Sequence, residues 1–172
     1  MAVEYQLRGD VALVTLDRPD VYNSVDQTMA DELRAALARS GEEARALVVT
    51  GAGRAFCAGA DLADLAADYE AGSPNLAGVI RERFNPVIRA LVEVPVPTVA
   101  AVNGVAAGAG IGLAMACDQR LGSEHASFIS AFINVALIPD SGSTWFLTHS
   151  IGVSRAMEMA MTGRRVEAEE AV

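Results

Sequence analysis

Short apolar runs of strand length alternate along this chain with segments of helical period, and that alternation restricts the fold more than any other feature. Val3, Tyr5 and Leu7 alternate with polar neighbours, Gly9-Asp10 supplies a two-residue turn, and Val11 to Leu16 forms an apolar return run, so the chain opens on a hairpin. Ser24 and Gln27 have the spacing of a capping box, and Val25, Met29, Leu33 and Leu37 recur at helical spacing up to Gly41. Arg45 to Thr50 contains the run ALVV, a central strand that delivers the glycine-rich loop GAGRAFCAGAD. Leu76, Val79, Ile80, Phe84, Val87, Ile88 and Leu91 make a helical stripe, which Pro86 must kink or break by removing a backbone donor. VPTVAAV at 96–102 reads as a second buried strand, then an NG turn and a small-residue helix from about Gly108 to Ala116. Beyond Asp118 come short strands at 120–122 and around Ser127, the turn LIPDSGS, and helices at 144–148 and 153–162. The expected class is α/β with buried sheets, in one domain spanning 1–172.

Composition narrows the partners. An apolar content of 52% over 172 residues supplies a single core. The 13 basic side chains are outnumbered by 22 acidic ones, and the net charge of −9 repels nucleic acid and anionic membrane surfaces. A phosphate-bearing ligand therefore needs backbone donors or local arginines. Cys57 and Cys117 stand far apart with no metal-ligand spacing, which points to reduced thiols in a cytoplasm and to no disulfide or metal site. Met1 to Gly9 lack the basic start and apolar block of an export signal. The nearly uncharged stretch from Pro97 to Cys117 is long enough to span a bilayer, but its Ala and Gly content, with Asn103 inside it, predicts a buried strand, turn and helix instead. His125 and His149 stand alone, without a partnered Ser, Cys or metal cluster, and read as surface or structural residues.

Two loops share one physical design. In AFCAGAD, 55–61, and NGVAAGAG, 103–110, a strand ends, small residues let backbone approach a ligand, and amides point outward at a helix start. Either loop alone also fits plain packing; the pair, read with LIPDSGST at 137–144, resembles the crotonase family, also called the enoyl-CoA hydratase/isomerase family. LDRPDVYNS at 16–24 and VSRAMEMAMTGRRVEAEEA at 153–171 extend the resemblance over nearly the whole chain.

The resemblance implies a core of repeated ββα turns, assembled as a homotrimer or dimer of trimers, that binds acyl-CoA thioesters. It places the backbone amides of Ala60 and Ala109 as an oxyanion hole. It lines the coenzyme A path with Tyr22, Ser24, Ala58, Gly59, Asp61, Leu62 and Gly108, and the substrate pocket with Phe132, Val135 and Ser141. Coenzyme A enters as part of the substrate, with no permanently bound cofactor; the cations for its phosphates must come from Arg18, Arg54 or another subunit. The loop 63–78 shapes the acyl pocket, and the family's C-terminal helical segment lies beyond this chain. Asp61 is expected to cap a helix starting at Leu62.

The chain departs from the family at four places, one of them Tyr22, where many relatives carry a basic residue. Ala109 stands where a glycine is usual, which keeps the donor and adds a methyl group. Gly112 and Phe132 occupy the positions of the two glutamates with which hydratases hold water, and neither moves a proton. Asp140 matches the position at which enoyl-CoA isomerases, including the ring-rearranging isomerases of phenylacetate breakdown, carry their carboxylate. The favoured reading is double-bond isomerisation, with Asp140 shuttling the proton and an apolar surround of Phe132, Val135 and Trp145 raising its pKa. Four alternatives stay open at this point. Asp140 serves as the nucleophile of a hydrolytic aryl-CoA dehalogenase, or only caps the following helix; otherwise the chain is a hydratase with a non-standard site, or a non-catalytic acyl-CoA binding subunit.

Overall fold

The computed structural model describes residues 1–64, 66, 70, 72 and 75–172. The opening hairpin forms as the alternation predicts: β1 (Val3–Arg8) pairs antiparallel with β2 (Val11–Leu16) across Gly9, whose φ of 61° suits a residue without a Cβ. β2 then runs parallel to β3 (Ala46–Gly51), β3 to β5 (Thr98–Val102) and β5 to β7 (Gln119–Gly122), so that β3 is central in a five-stranded sheet. Ala12, Val14, Leu16, Leu47, Val49, Ala100 and Val102 are buried at period two along these strands.

α1 (Gln27–Glu43) buries Met29, Leu33 and Leu37, the stripe visible in the sequence. Its cap is Asp26, whose carboxylate accepts the Met29 N–H at 2.7 Å, and not Ser24, which is buried two residues upstream. The break required by Pro86 is met by a wider turn: α2 (Leu76–Val79) passes through a π segment, Ile80–Phe84, into α3 (Asn85–Glu93), and the Asn85 N–H reaches back to the Ile80 carbonyl. Pro86 thus sits in the first turn of α3, where no N–H is needed.

A second sheet, of order β4-β6-β8-β9, consists of strands three residues long: β4 (Ala55–Cys57), β6 (Val105–Ala107), β8 (Ser127–Ile129) and β9 (Arg165–Glu167). Part of GAGRAFCAGAD is therefore strand, where the sequence reads as loop, and β6 and β9 have no counterpart in that reading. Each long strand β3, β5 and β7 hands the chain to a short one, which is the repeated ββα plan. α4 (Ala109–Ala116) is buried on every side, as a helix made of small and apolar residues must be. The stretch from Pro97 to Cys117 thus resolves into two strands and one short helix, and no helix among the described residues is long and apolar enough to cross a membrane. α5 (Ser143–Thr162) is interrupted at Gly152, φ 78° and ψ 161°, between the two predicted helices.

Candidate active site

The two small-residue loops meet. β4 and β6 run parallel, and beyond their ends the backbones stay in contact: a Cβ on Gly59 would lie 2.8 Å from the Ala107 carbonyl oxygen and 3.1 Å from the Ala109 nitrogen. A Cβ on Gly110 would overlap the carbonyl of Cys57. The contacts at Gly59 and Gly110, with φ values of +94° at Gly59 and +52° at Gly108, explain why glycines occupy all three positions. Ala60 forms a parallel bridge with Val25, in which Val25 donates to Gly59 (2.7 Å) and Asp61 donates to Val25 (3.2 Å). That pattern leaves the Ala60 N–H outside the bridge. Ala109 is the first residue of α4, where an amide has no partner within the helix. Among the described residues neither N–H donates to a protein acceptor, although Ala109 is buried and Ala60 half-buried. Two unpaired amides on touching segments form a potential anion site.

A buried polar frame holds the first loop. Asn23, fully buried at φ 57°, donates to the carbonyls of Ala52 (2.9 Å) and Ala55 (2.8 Å) and accepts the Arg18 N–H (2.9 Å). Asn103 donates to the carbonyls of Gly53 (3.0 Å) and Ala55 (3.1 Å). Arg18 pairs with Asp61 (2.9 Å) and Asp26 (3.3 Å) and donates to the Ser24 carbonyl (2.7 Å). Asp61 also accepts the Ala63 N–H (3.1 Å). Burial pushes the Asp61 carboxyl up, but the Arg18 hydrogen bond and charge, with backbone donors, hold it below the usual carboxylate range. Residues 62–64 form a turn, across which Asp61 accepts the Ala63 N–H, and not the start of a helix at Leu62; the continuation of that segment, where the expected capped helix falls, lies largely outside the described residues. Sequence reading missed Asn23 and Asn103 as frame residues. The hint was an Asn beside small-residue turns, a type that tolerates left-handed backbone.

Tyr22 is exposed at φ 54°, and its carbonyl accepts the Ala58 N–H (3.0 Å), tying the 22–24 stretch to the loop. Ser24 is buried, so its backbone is what faces Arg18. Arg18 is committed to two carboxylates, whereas the exposed Arg54 lies over the Tyr22 ring, 4.4 Å from its centroid, and forms no ion pair among the described residues. Leu62 and Val135, both exposed, line a cavity of about 390 Å³ with Ala66 and Glu70. Of the 63–78 loop, residues 65, 67–69, 71, 73 and 74 lie outside the described residues.

Asp140 is half-buried in the turn before α5. It does not cap that helix: the cap is Gly142, and no side chain accepts from the helix start. The carboxylate instead accepts the Ser141 hydroxyl at 2.8 Å, while the Asp140 carbonyl accepts the Ser143 N–H (2.9 Å) and hydroxyl (2.6 Å). Burial raises the Asp140 pKa, and the Ser141 hydrogen bond offsets part of that rise. The turn rests on α4, because a Cβ on Gly112 would overlap the Ser141 carbonyl oxygen and lie 2.9 Å from the Ser141 Cβ. Gly112 is three residues, about 4.5 Å of helix rise, beyond Ala109. Phe132 is buried; Trp145 is 63% exposed with its ring against His149, so it is not the buried wall expected of it. Cys57 and Cys117 are buried free thiols, each pushed up to about 12 by desolvation and therefore inert as nucleophiles.

This fold and site define a crotonase-like protein, and comparison with known proteins agrees. The family model described as enoyl-CoA hydratase/isomerase matches residues 6–172, and the chain belongs to that family. A Rhodobacter capsulatus protein named "Probable enoyl-CoA hydratase" is 46% identical over 169 residues, 98% of this chain and 64% of its own length. The Escherichia coli protein named 1,2-epoxyphenylacetyl-CoA isomerase is 41% identical over 163 residues, 94% of this chain and 62% of its own. The crystal structure of an enoyl-CoA hydratase from Bacillus anthracis superposes with a TM-score of 0.88 at 34% identity, covering 99% of this chain and 66% of that one. The chain thus spans just under two thirds of the length of the two curated relatives.

Proposed function

We propose that this protein acts on acyl-CoA thioesters by proton transfer, moving a double bond, with the thioester oxygen held by the N–H groups of Ala60 and Ala109 and Asp140 as proton carrier. The observation that carries this reading is the environment of Asp140: a half-buried carboxylate with no charged partner among the described residues and no capping duty, on a turn seated against the helix that begins at Ala109. In the proposed cycle the Asp140 carboxylate takes a proton from the carbon beside the thioester of a β,γ-unsaturated substrate. The electron pair delocalises onto the thioester oxygen as a dienolate, and the Asp140 carboxyl returns the proton to the γ carbon, leaving the α,β-unsaturated isomer. Each preorganised amide lowers the barrier by about 3 kcal/mol, since it needs no reorganisation as charge develops. Burial aids the base by raising its proton affinity.

Isomerisation is favoured over hydration because Gly112 and Phe132 offer no acid to position water. The cavity beside Leu62 and Val135 accommodates the acyl group, and Arg54 on Tyr22 offers a cation to the phosphates despite the net charge of −9. The decisive measurement follows solvent-deuterium exchange and double-bond migration on a panel of unsaturated acyl-CoA thioesters. Asp140→Asn is expected to lose both by at least about 10³-fold; retained turnover in that variant rejects the base assignment.

A further inference from the structure

We propose that Arg83 is a positioning residue for the acyl group: it ties the turn 62–64 to the start of α1, fixes the Leu62 wall of the cavity, and so sets a preference for long acyl chains. The inference rests on the reading that this cavity takes the acyl group, and it concerns what holds the wall. The turn is slung from the start of α1 at both of its ends. At the near end Arg18 spans Asp26, the cap of α1, and Asp61, at 3.3 and 2.9 Å. At the far end Arg83 donates from Nε to Oε1 of Gln27, the first residue of α1, at 3.4 Å, and pairs through Nη2 with Asp64 at 2.7 Å. Leu62 lies between the two anchors and lines the cavity with Val135.

Arg83 is not an ordinary surface ion-pair residue. It is 8% exposed, next to the buried Phe84, in the π segment, a wide turn of the kind frequent at functional sites. Among the described residues its Nη1 has no acceptor. A buried guanidinium with one donor unpaired costs stability. The Asp64 side chain is 40% exposed, so solvent screens the pair and little of that cost is offset. What the arrangement does supply is direction: a planar fork whose arms reach two elements at once fixes their separation, which an apolar side chain of the same length does not. Ala60 is held separately, by its bridge to Val25 and by Arg18 on Asp61. Loss of Arg83 therefore frees the Leu62 side of the turn and leaves the Ala60 amide in place. A long acyl chain packs against that wall, and a short one ends before it.

The test is calorimetric titration with butyryl-CoA and decanoyl-CoA, saturated thioesters with no double bond to move, in wild type, Arg83→Met, Asp64→Ala and the double variant. Wild type is expected to bind decanoyl-CoA the more tightly, and Arg83→Met to reduce the ratio of the two affinities about tenfold, as the loss of a few methylene contacts does. Asp64→Ala is expected to give the same reduction, and the double variant no more than either single, since both changes cut one tie. Met fills the volume that Arg83 leaves and Asp64 returns to water, so Arg83→Met is expected to fold; should it not, Asp64→Ala decides alone. A wild type without the preference, a ratio unmoved in the single variants even where both affinities fall, or reductions that add in the double variant overturn the inference and leave the proposed isomerisation standing. A ratio that falls as expected in a protein that moves no double bond supports the inference and rejects the isomerisation. Failure of wild type to bind either thioester overturns both.

Discussion

Asp140 and Asp61 illustrate how one residue type is driven in opposite directions by its neighbours. Asp140 has burial and a single hydroxyl, so its pKa is raised; Asp61 has burial too, but Arg18 and backbone donors outweigh it. The consequences for stability have opposite signs. A group raised in the folded state gives its full contribution below the ordinary carboxylate range and loses it as pH rises through the raised value, so ionised Asp140 costs stability at neutral pH. Asp140→Asn is expected to melt higher than wild type at pH 7, with the gap closing as the pH falls below about 4. A depressed group contributes above its unfolded value and loses that contribution as pH falls through the folded one. Asp61→Asn should therefore cost about 2 kcal/mol at neutral pH, with the difference shrinking under acid. Thermal scans at the two pH values check both. Asparagine at position 140 that stabilises and inactivates together would mark a site held at the expense of stability.

Among the elements, α4 does most with least. Its eight residues are buried throughout, and its first amide is left unpaired because a helix start has no internal partner for it. Ala109→Pro removes that donor at the one helical position where proline is well tolerated. It is expected to lower kcat by about 10²- to 10³-fold while circular dichroism and melting stay close to wild type. Gly108→Ala acts differently: φ +52° with ψ −124° is glycine territory, and the variant should lose about 1–3 kcal/mol in urea titrations. The π segment Ile80–Phe84 shows how the chain absorbs Pro86, by widening one turn before it instead of kinking the helix.

In the molecule as a whole, two sheets and their helices share one core, and the three-residue strands of the second sheet carry both small-residue loops to the same place. Val153, Met157 and Met161 recur every four residues along α5 and all stand exposed, an apolar line on an otherwise acidic protein. Assembly into trimers, implied by the family likeness, belongs to the same proposal as the activity. Sedimentation velocity at two protein concentrations is expected to give a species of three or six chains, and a stable monomer would refute it.

Much of this architecture was legible beforehand. Period-two alternation marked β1, short apolar runs marked β2, β3 and β5, and the helical stripe marked α1, because those patterns record how much of each element meets the core. The motif likeness singled out the loops at 55–61 and 103–110 and the turn at Asp140. Two of the three-residue strands were not legible: β6 and β9 are too short to show a period and exist only because a partner lies alongside. Nor was the cap of α1, where Asp26 prevails over Ser24 because Ser24 is drawn into the interior. The sequence alone determined the succession of elements and the two small-residue loops, both properties of neighbouring residues, and its likeness to the family marked Gly112 and Phe132 as standing in place of paired glutamates. Only the tertiary structure decided that Gly59 touches Ala109 across fifty positions, that Ser141 turns its hydroxyl onto Asp140, and that Gly112 makes room for both. Such contacts depend on where the core brings distant backbones together, and no local pattern encodes that.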